Sequence, residues 1–160
     1  MEKQLTLSSI VVVERVTSLD IAELDPLIRE SVAEGFGFIQ RLSDDYVSGK
    51  HRFDGPRDAL FTIHVDGELA AVGGFTPDTY SGDPLIGRVR RVYVLATYRR
   101  CGLGRVLLAE ILKAAGEHFE TVVLRTDTER AAAFYRSLGF EETSEFPDAT
   151  HVMRLGQARS

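Results

Sequence analysis

The chain has 160 residues, of which 44% are hydrophobic and 27% charged, with a formal net charge of −5. These values exclude a disordered chain, exert no general pull on nucleic acid, and suffice for one domain with its own core. Cys101 is the single cysteine, so an internal disulfide and a cysteine-based zinc site are both excluded. No apolar run reaches membrane-spanning length. The first residues lack the basic and long apolar regions of a secretory signal, so the expectation is a cytoplasmic protein with neither membrane nor nucleic-acid partner.

In chain order, residues 1–8 are polar and expected to fray. Ile10 to Val16 is β-branched and reads as a first strand. Thr17-Ser18-Leu19-Asp20 has the form of a capping box with Thr17 as the cap, ahead of Leu24, Leu27, Ile28 and Val32 at helical spacing. Asp25-Pro26 kinks or restarts that helix. Phe38, Ile39, Leu42 and Tyr46 predict a second helix ended by Gly49, and a polar loop containing Gly55-Pro56 follows. Leu60 to Val65 and Glu68 to Phe75 flank Asp66-Gly67, a strong hairpin signal. Gly73-Gly74 suggests a bulge or a close backbone approach.

The stretch from Val89 to Arg105 organises the rest. Its first part, Val89-Arg90-Arg91-Val92-Tyr93-Val94, reads as a strand, and Val106, Leu107, Leu108, Ile111, Leu112 and Ala115 continue its end as a helix. The turn between them holds Arg99, Arg100 and Arg105, cations at the helix end whose dipole is already positive. A bound anion offsets that conflict, and the open N–H groups of a helix N-terminus suit phosphate. Gly102 and Gly104 let the backbone come close to such a ligand. A P-loop is absent, and Leu107 stands where a dinucleotide fingerprint needs its third small residue. Beyond the helix, Thr121 to Arg125 reads as a short strand. Ala131, Phe134, Tyr135 and Leu138 form one face of a helix stopped by Gly139, and Phe140 to Ser144 and His151 to Leu155 form a last strand pair. The strands near residues 90 and 123 are joined through a helix and so pair in parallel, while the hairpins pair antiparallel. The expected fold class is α/β (α+β): a mixed sheet of about seven strands with about four helices on its two faces.

Arg99-x-x-Gly102-x-Gly104 resembles the Arg/Gln-x-x-Gly-x-Gly/Ala signature of the GNAT superfamily of N-acetyltransferases. Ala131-x-x-Phe134-Tyr135-x-x-x-Gly139-Phe140 resembles a second segment of the same family, and the order of elements matches from about Ile10 to Leu155. The resemblance implies a single GNAT domain over 1–160 that uses acetyl-CoA as cosubstrate and carries a splayed parallel central strand pair; the four scattered histidines show no metal-ligand spacing, so no metal is expected. It assigns Val92, Tyr93 and Val94 to backbone pairing with the pantetheine arm. It assigns Arg99, Arg100, Gly102, Leu103, Gly104 and Arg105 to the pyrophosphate turn, and Tyr135 to protonating the departing thiolate. Thr128 stands where the family often has a cofactor-contacting asparagine, and Ala96 where proline is usual. Arg88 and Arg90 replace glutamates that in many members act as, or orient, the general base.

The implied activity is direct acetyl transfer to a primary amine of a small molecule. The attacking amine must be neutral, the oxyanion needs a donor such as an N–H near Val94, and the thiolate needs a proton. Strand alternation puts Arg88, Arg90, Val92 and Val94 on one face. The two arginines there repel polycations and suit an acceptor with a carboxylate or phosphate. Against this stand solvation of the arginines, or their pairing with Asp78 or Asp83. His64 and His151 are alternative bases or structural residues, and Cys101 is read as a bystander. A non-catalytic acyl-CoA-binding module and a protein-modifying acetyltransferase are the rival readings. The acceptor's identity and the oligomeric state, a homodimer included, stay open.

Overall fold

The structure is a computed structural model and describes residues 4–157. Strand β1 (Val11–Arg15) leads through a 3₁₀ turn (Ile21–Leu24) to helices α1 (Asp25–Ala33) and α2 (Phe38–Ser48). Strands β2 (Ala59–Val65), β3 (Glu68–Pro77) and β4 (Ile86–Val94) follow, then α3 (Leu103–Ala115), β5 (Thr121–Leu124), α4 (Glu129–Ser137), β6 (Glu141–Glu142) and β7 (His151–Arg154). The strands form one sheet in the order β1-β2-β3-β4-β5-β7-β6. Every neighbouring pair is antiparallel except β4 and β5, as the helix between them led us to expect.

The hairpin predicted at Asp66-Gly67 is present, with both residues at positive φ (51° and 82°), the twist that suits a two-residue turn. Strands β2 and β3 are almost wholly buried because helices cover both faces of the sheet. On one face lie the 3₁₀ turn, α1 and α2, which bury Leu24, Leu27, Ile39 and Leu42. On the other lies α3, whose Leu103, Leu107, Leu108, Ile111 and Ala115 recur at helical spacing against β2 and β3. Each such leucine contributes about 1.5–3 kcal/mol on leaving water.

One local expectation is corrected. Thr17 caps nothing; Asp20 is the N-cap of the 3₁₀ turn, its carboxylate accepting from the Ala22 N–H at 3.1 Å, and α1 begins separately at Asp25-Pro26. The aspartate wins because its short acceptor reaches back to an N–H two residues on.

The Gly73-Gly74 signal proves to be a close approach. A Cβ at Gly74 would lie 2.2 Å from the carbonyl oxygen of Ala59 in the neighbouring strand. That oxygen belongs to a backbone held in the sheet, so it cannot swing away as a side chain would. Gly74→Ala is therefore expected to cost at least the 1–3 kcal/mol typical of overpacking, read as a lower urea midpoint. An unchanged midpoint would show that β2 and β3 can separate there without penalty.

Candidate active site

Strand β4 pairs with β5 only at Ile86, Gly87 and Arg88, opposite Thr121, Val122 and Val123. Beyond Arg88 the two strands part, and a cleft of about 1290 Å³ opens between them. Glu30, Phe36, Phe38 and Arg41 from the α1–α2 side line one wall; Thr126, Thr128, Phe134 and Tyr135 line the other. The Leu95 N–H donates to the Ala70 carbonyl at 2.9 Å. Antiparallel pairing alternates such groups, so the N–H and C=O of Val94 point to the open edge. Its carbonyl accepts from Arg99 Nε at 3.0 Å, and its N–H is an oriented donor facing the cleft.

A bulge shapes this strand. Val72 and Gly74, two residues apart, stand opposite Tyr93 and Arg90, three apart; the extra residue is Arg91, at φ +60°. Simple alternation is therefore overturned past Arg90. Arg91 approaches Asp45 of α2 at 3.9 Å, and Tyr93 reaches α1, while Val92 turns to the α3 side against Gly73 and Ile111. Arg88, Arg90 and Arg91 thus share the face that looks toward α1 and α2, and Val92 leaves it.

The two arginines singled out in the sequence have different fates. Arg88 is buried and fully engaged. Its Nε donates to Asp78 Oδ1 (2.8 Å), its Nη atoms donate to the carbonyls of Asp148 (2.7 Å) and Pro147 (3.0 Å), and it stacks on Tyr80. Arg88 lines the cleft but is held as a strut between the β3–β4 loop and the segment before β7. Arg90 donates only through Nε, to Thr76 Oγ1 at 3.0 Å; its Nη atoms have no hydrogen-bond partner among the described residues. Burial, then the neighbouring charge of Arg88, push Arg90 below the ordinary guanidinium range.

Helix α3 begins with no side-chain cap. Its N-cap Gly102 is left-handed (φ +82°), Arg100 is at φ +64°, and the Val106 N–H is the first to find its intrahelical acceptor, Gly102. The N–H groups of Leu103, Gly104 and Arg105 therefore have no intrahelical acceptor, an arrangement that suits an anion. Arg105 Nη2 reaches Ser137 Oγ at 3.2 Å, which ties this turn to α4.

Three residues of this half have partners that the sequence did not reveal. The Arg99 side chain does not face the turn: its Nη1 and Nη2 donate to Glu34 Oε2 and Oε1, each at 3.0 Å, and it lies over the Tyr93 ring. A carboxylate within bidentate reach outcompetes a solvated position. Gly104 also has a packing reason to be small, since a Cβ there would meet Cζ of Phe134 of α4 at 2.9 Å. Thr128 Oγ1 is spent as the N-cap of α4, accepting from the Ala131 N–H at 3.2 Å.

Tyr135 is packed between Phe134 and Phe140 at the cleft wall, and no described residue hydrogen-bonds its hydroxyl. Burial raises its pKa above the ordinary phenol value, which keeps the proton on. His64 instead pairs with Glu23 at 2.7 Å, and His151 is buried with its Nδ1 2.8 Å from Thr150 Oγ1; neither lines the cleft. Cys101 is half-buried, with its Sγ 3.7 Å from the Arg99 carbonyl oxygen.

Residues 56–142, more than half of the chain, match the family model described as an acetyltransferase (GNAT) domain. The chain belongs to the GNAT acetyltransferase family. A structure from Exiguobacterium sp. 255-15, described as an acetyltransferase candidate, is 31% identical and covers 91% of this chain and 93% of that one, with a TM-score of 0.80. The GNAT N-acetyltransferase YhbS of Escherichia coli, solved in complex with CoA, shares the fold at 21% identity and a TM-score of 0.70, covering 96% of this chain and 86% of its own. An uncharacterised Mycobacterium leprae protein is 41% identical over 80 residues, 44% of this chain; the match spans only 22% of that protein.

The GNAT site also contains two carboxylates that sequence reasoning missed. Glu30 and Glu34 project from α1 to the hydroxyl of Tyr93, Glu30 at 2.8 Å, and Glu30 also accepts from the Ala96 N–H at 2.7 Å. Their signal was present: like charges four apart on a helix repel each other and call for a cation from elsewhere, here Arg99. The hydrogen bond from Arg99 holds the Glu34 carboxyl below the ordinary glutamate range. A depressed native pKa adds stability that is present above the unfolded value, about 4.3, and lost as pH falls through the native one. Glu34→Gln is thus expected to be less stable than the parent at neutral pH, with the gap closing below about pH 4. Urea midpoints across that range check it; a gap independent of pH would assign the effect to packing.

Proposed function

We propose that this GNAT protein transfers the acetyl group of acetyl-CoA to the primary amine of a small molecule that also bears a carboxylate or phosphate. The observation that carries the acceptor class is the bulge, which turns both Arg90 and Arg91 to the acceptor side. Neither guanidinium has a carboxylate within 3.5 Å, and the Nη atoms of Arg90 have no partner among the described residues. Two half-buried cations side by side favour an anion and disfavour a polyamine. They also lower the pKa of a bound ammonium, which raises the fraction able to attack.

Acetyl-CoA supplies an activated thioester carbonyl. The open turn Arg100 to Arg105 suits its pyrophosphate, and the E. coli relative solved with CoA supports that use of the fold. The Val94 N–H is oriented to receive negative charge on the carbonyl oxygen. Tyr135, protonated and with no protein acceptor for its hydroxyl, is suited to give a proton to the departing thiolate.

With a panel of amines differing in charge, thiol release is expected to be fastest with amino acids or amino phosphates and slow with polycations. Arg90→Gln should raise KM for the anionic acceptors about tenfold or more, in keeping with loss of a charge-assisted hydrogen bond, and leave CoA affinity unchanged. A preference for polycations would overturn the acceptor class. Tyr135→Phe should lower kcat by roughly a hundredfold with little change in KM for acetyl-CoA, the pattern of a lost general acid. A mutant with parental kcat would return Tyr135 to the core.

A further inference from the structure

The positions where the sequence resemblance leads one to look for a catalytic carboxylate on β4 hold Arg88 and Arg90. An amine that arrives as ammonium must still lose a proton, so the cleft has to supply a base or conduct the proton away. Neither His64 nor His151 lines the cleft. Tyr93 and Tyr135 are both held protonated by burial, with carboxylates adding to the effect at Tyr93. Among the cleft carboxylates, Asp127 and Asp148 lie on the far wall and pair with Arg125. Glu34 has both oxygens on Arg99.

Glu30 is different. Its Oε1 is fixed by the Ala96 N–H (2.7 Å) and the Tyr93 hydroxyl (2.8 Å), with Arg99 Nη2 3.8 Å away. Its Oε2 has no partner among the described residues, and the side chain lines the cleft with 31% of its surface exposed. The two groups that anchor it belong to Tyr93 and Ala96, which flank Val94, the residue whose N–H faces the reacting carbonyl in the reading above. One oxygen is held and the other open, beside the attack position and in touch with water that can carry a proton away.

Resting on the acetyltransferase reading, we propose that Glu30 is the general base of this protein, taking over from α1 a task that β4 has given up to arginine. Its Oε2 removes one proton from the acceptor ammonium and passes it to solvent. The neutral nitrogen then forms the N–C bond as the C–S bond breaks. The sulfur takes the proton of Tyr135, and the proton shed by the new amide nitrogen restores the phenol through water. One proton is released per transfer, so the charges balance.

Glu30→Gln tests this, since the amide oxygen can still accept from Ala96 and Tyr93. With the best amine of the panel, kcat/KM is expected to fall at least a hundredfold near neutral pH, while calorimetric CoA affinity and the melting temperature stay at parental values. The parental kcat/KM should level off at a lower pH than that of the variant, whose rate should keep climbing toward the pKa of the amine itself, so that alkaline pH partly rescues it. A variant with parental rate and pH profile overturns the role of Glu30 alone. A rate loss matched by an equal loss of CoA affinity assigns Glu30 to holding the end of β4 in place and also overturns it. Failure of the parent to acetylate any amine overturns the acetyltransferase reading, and this proposal with it.

Discussion

The arrangement depends on the parting of β4 from β5. A strand carries one donor and one acceptor per residue, and buried ones must be paired. After three residues of parallel pairing, β4 keeps its β3 partner but loses β5, so the open-edge groups of its last residues face the cleft. What satisfies them decides what the cleft can hold. One is taken internally, the Val94 carbonyl by Arg99; the N–H beside it stays directed at the cleft. The sheet thus creates a row of aligned backbone dipoles that no side chain has to be folded to produce.

The second constraint is charge. The chain is acidic overall, yet the cleft draws Arg41, Arg88, Arg90, Arg91, Arg99, Arg100, Arg105, Arg125 and Arg130 to its walls. Burying like charges together is costly unless counter-charges are built in. Arg88 has Asp78, Arg99 has Glu34, and Arg125 has Asp127 and Asp148. Arg90 is not neutralised in this way, and Arg91 has only Asp45, at 3.9 Å, among the described residues. The bulge beside Arg90 holds Arg91 in a left-handed conformation, a strain of about 1–3 kcal/mol for a non-glycine residue. Strain at Arg91 next to the weakly compensated charge of Arg90 argues for a ligand that relieves the second.

The fold was legible wherever a local rule dictates it. Asp66-Gly67 permits one kind of hairpin, the helical spacing of Leu107, Leu108 and Ile111 admits one buried face, and a helix between two strands leaves parallel pairing as the easy solution. The candidate site was legible only in part. Arg100 to Gly104 could be found because a turn built from backbone needs particular residues at fixed spacing. The bulge at Arg91 could not, because the extra residue has no composition cue when it is an arginine. It inverted every facing argument beyond Arg90. Glu30 and Glu34 were hidden for another reason: they act about sixty residues away from Tyr93 and Arg99 in sequence, and only their mutual repulsion on α1 pointed outward.

These two modes of construction meet at Arg99. Its backbone belongs to the turn that leads into α3, and there its identity was read as a phosphate ligand. Its side chain runs the other way, across the Tyr93 ring to Glu34 and back to the Val94 carbonyl. The same residue therefore positions the strand end that faces the cleft and neutralises the carboxylate beside Glu30. With Glu34 held by Arg99, the Tyr93 hydroxyl lies between an ion-paired carboxylate and Glu30. Removing the Arg99 side chain would take from Glu34 the hydrogen bond that holds its carboxyl below the ordinary glutamate range. The turn that opens α3 and the α1 side of the cleft are thus mechanically and electrostatically one unit, joined through a side chain whose motif position suggests only half of its work.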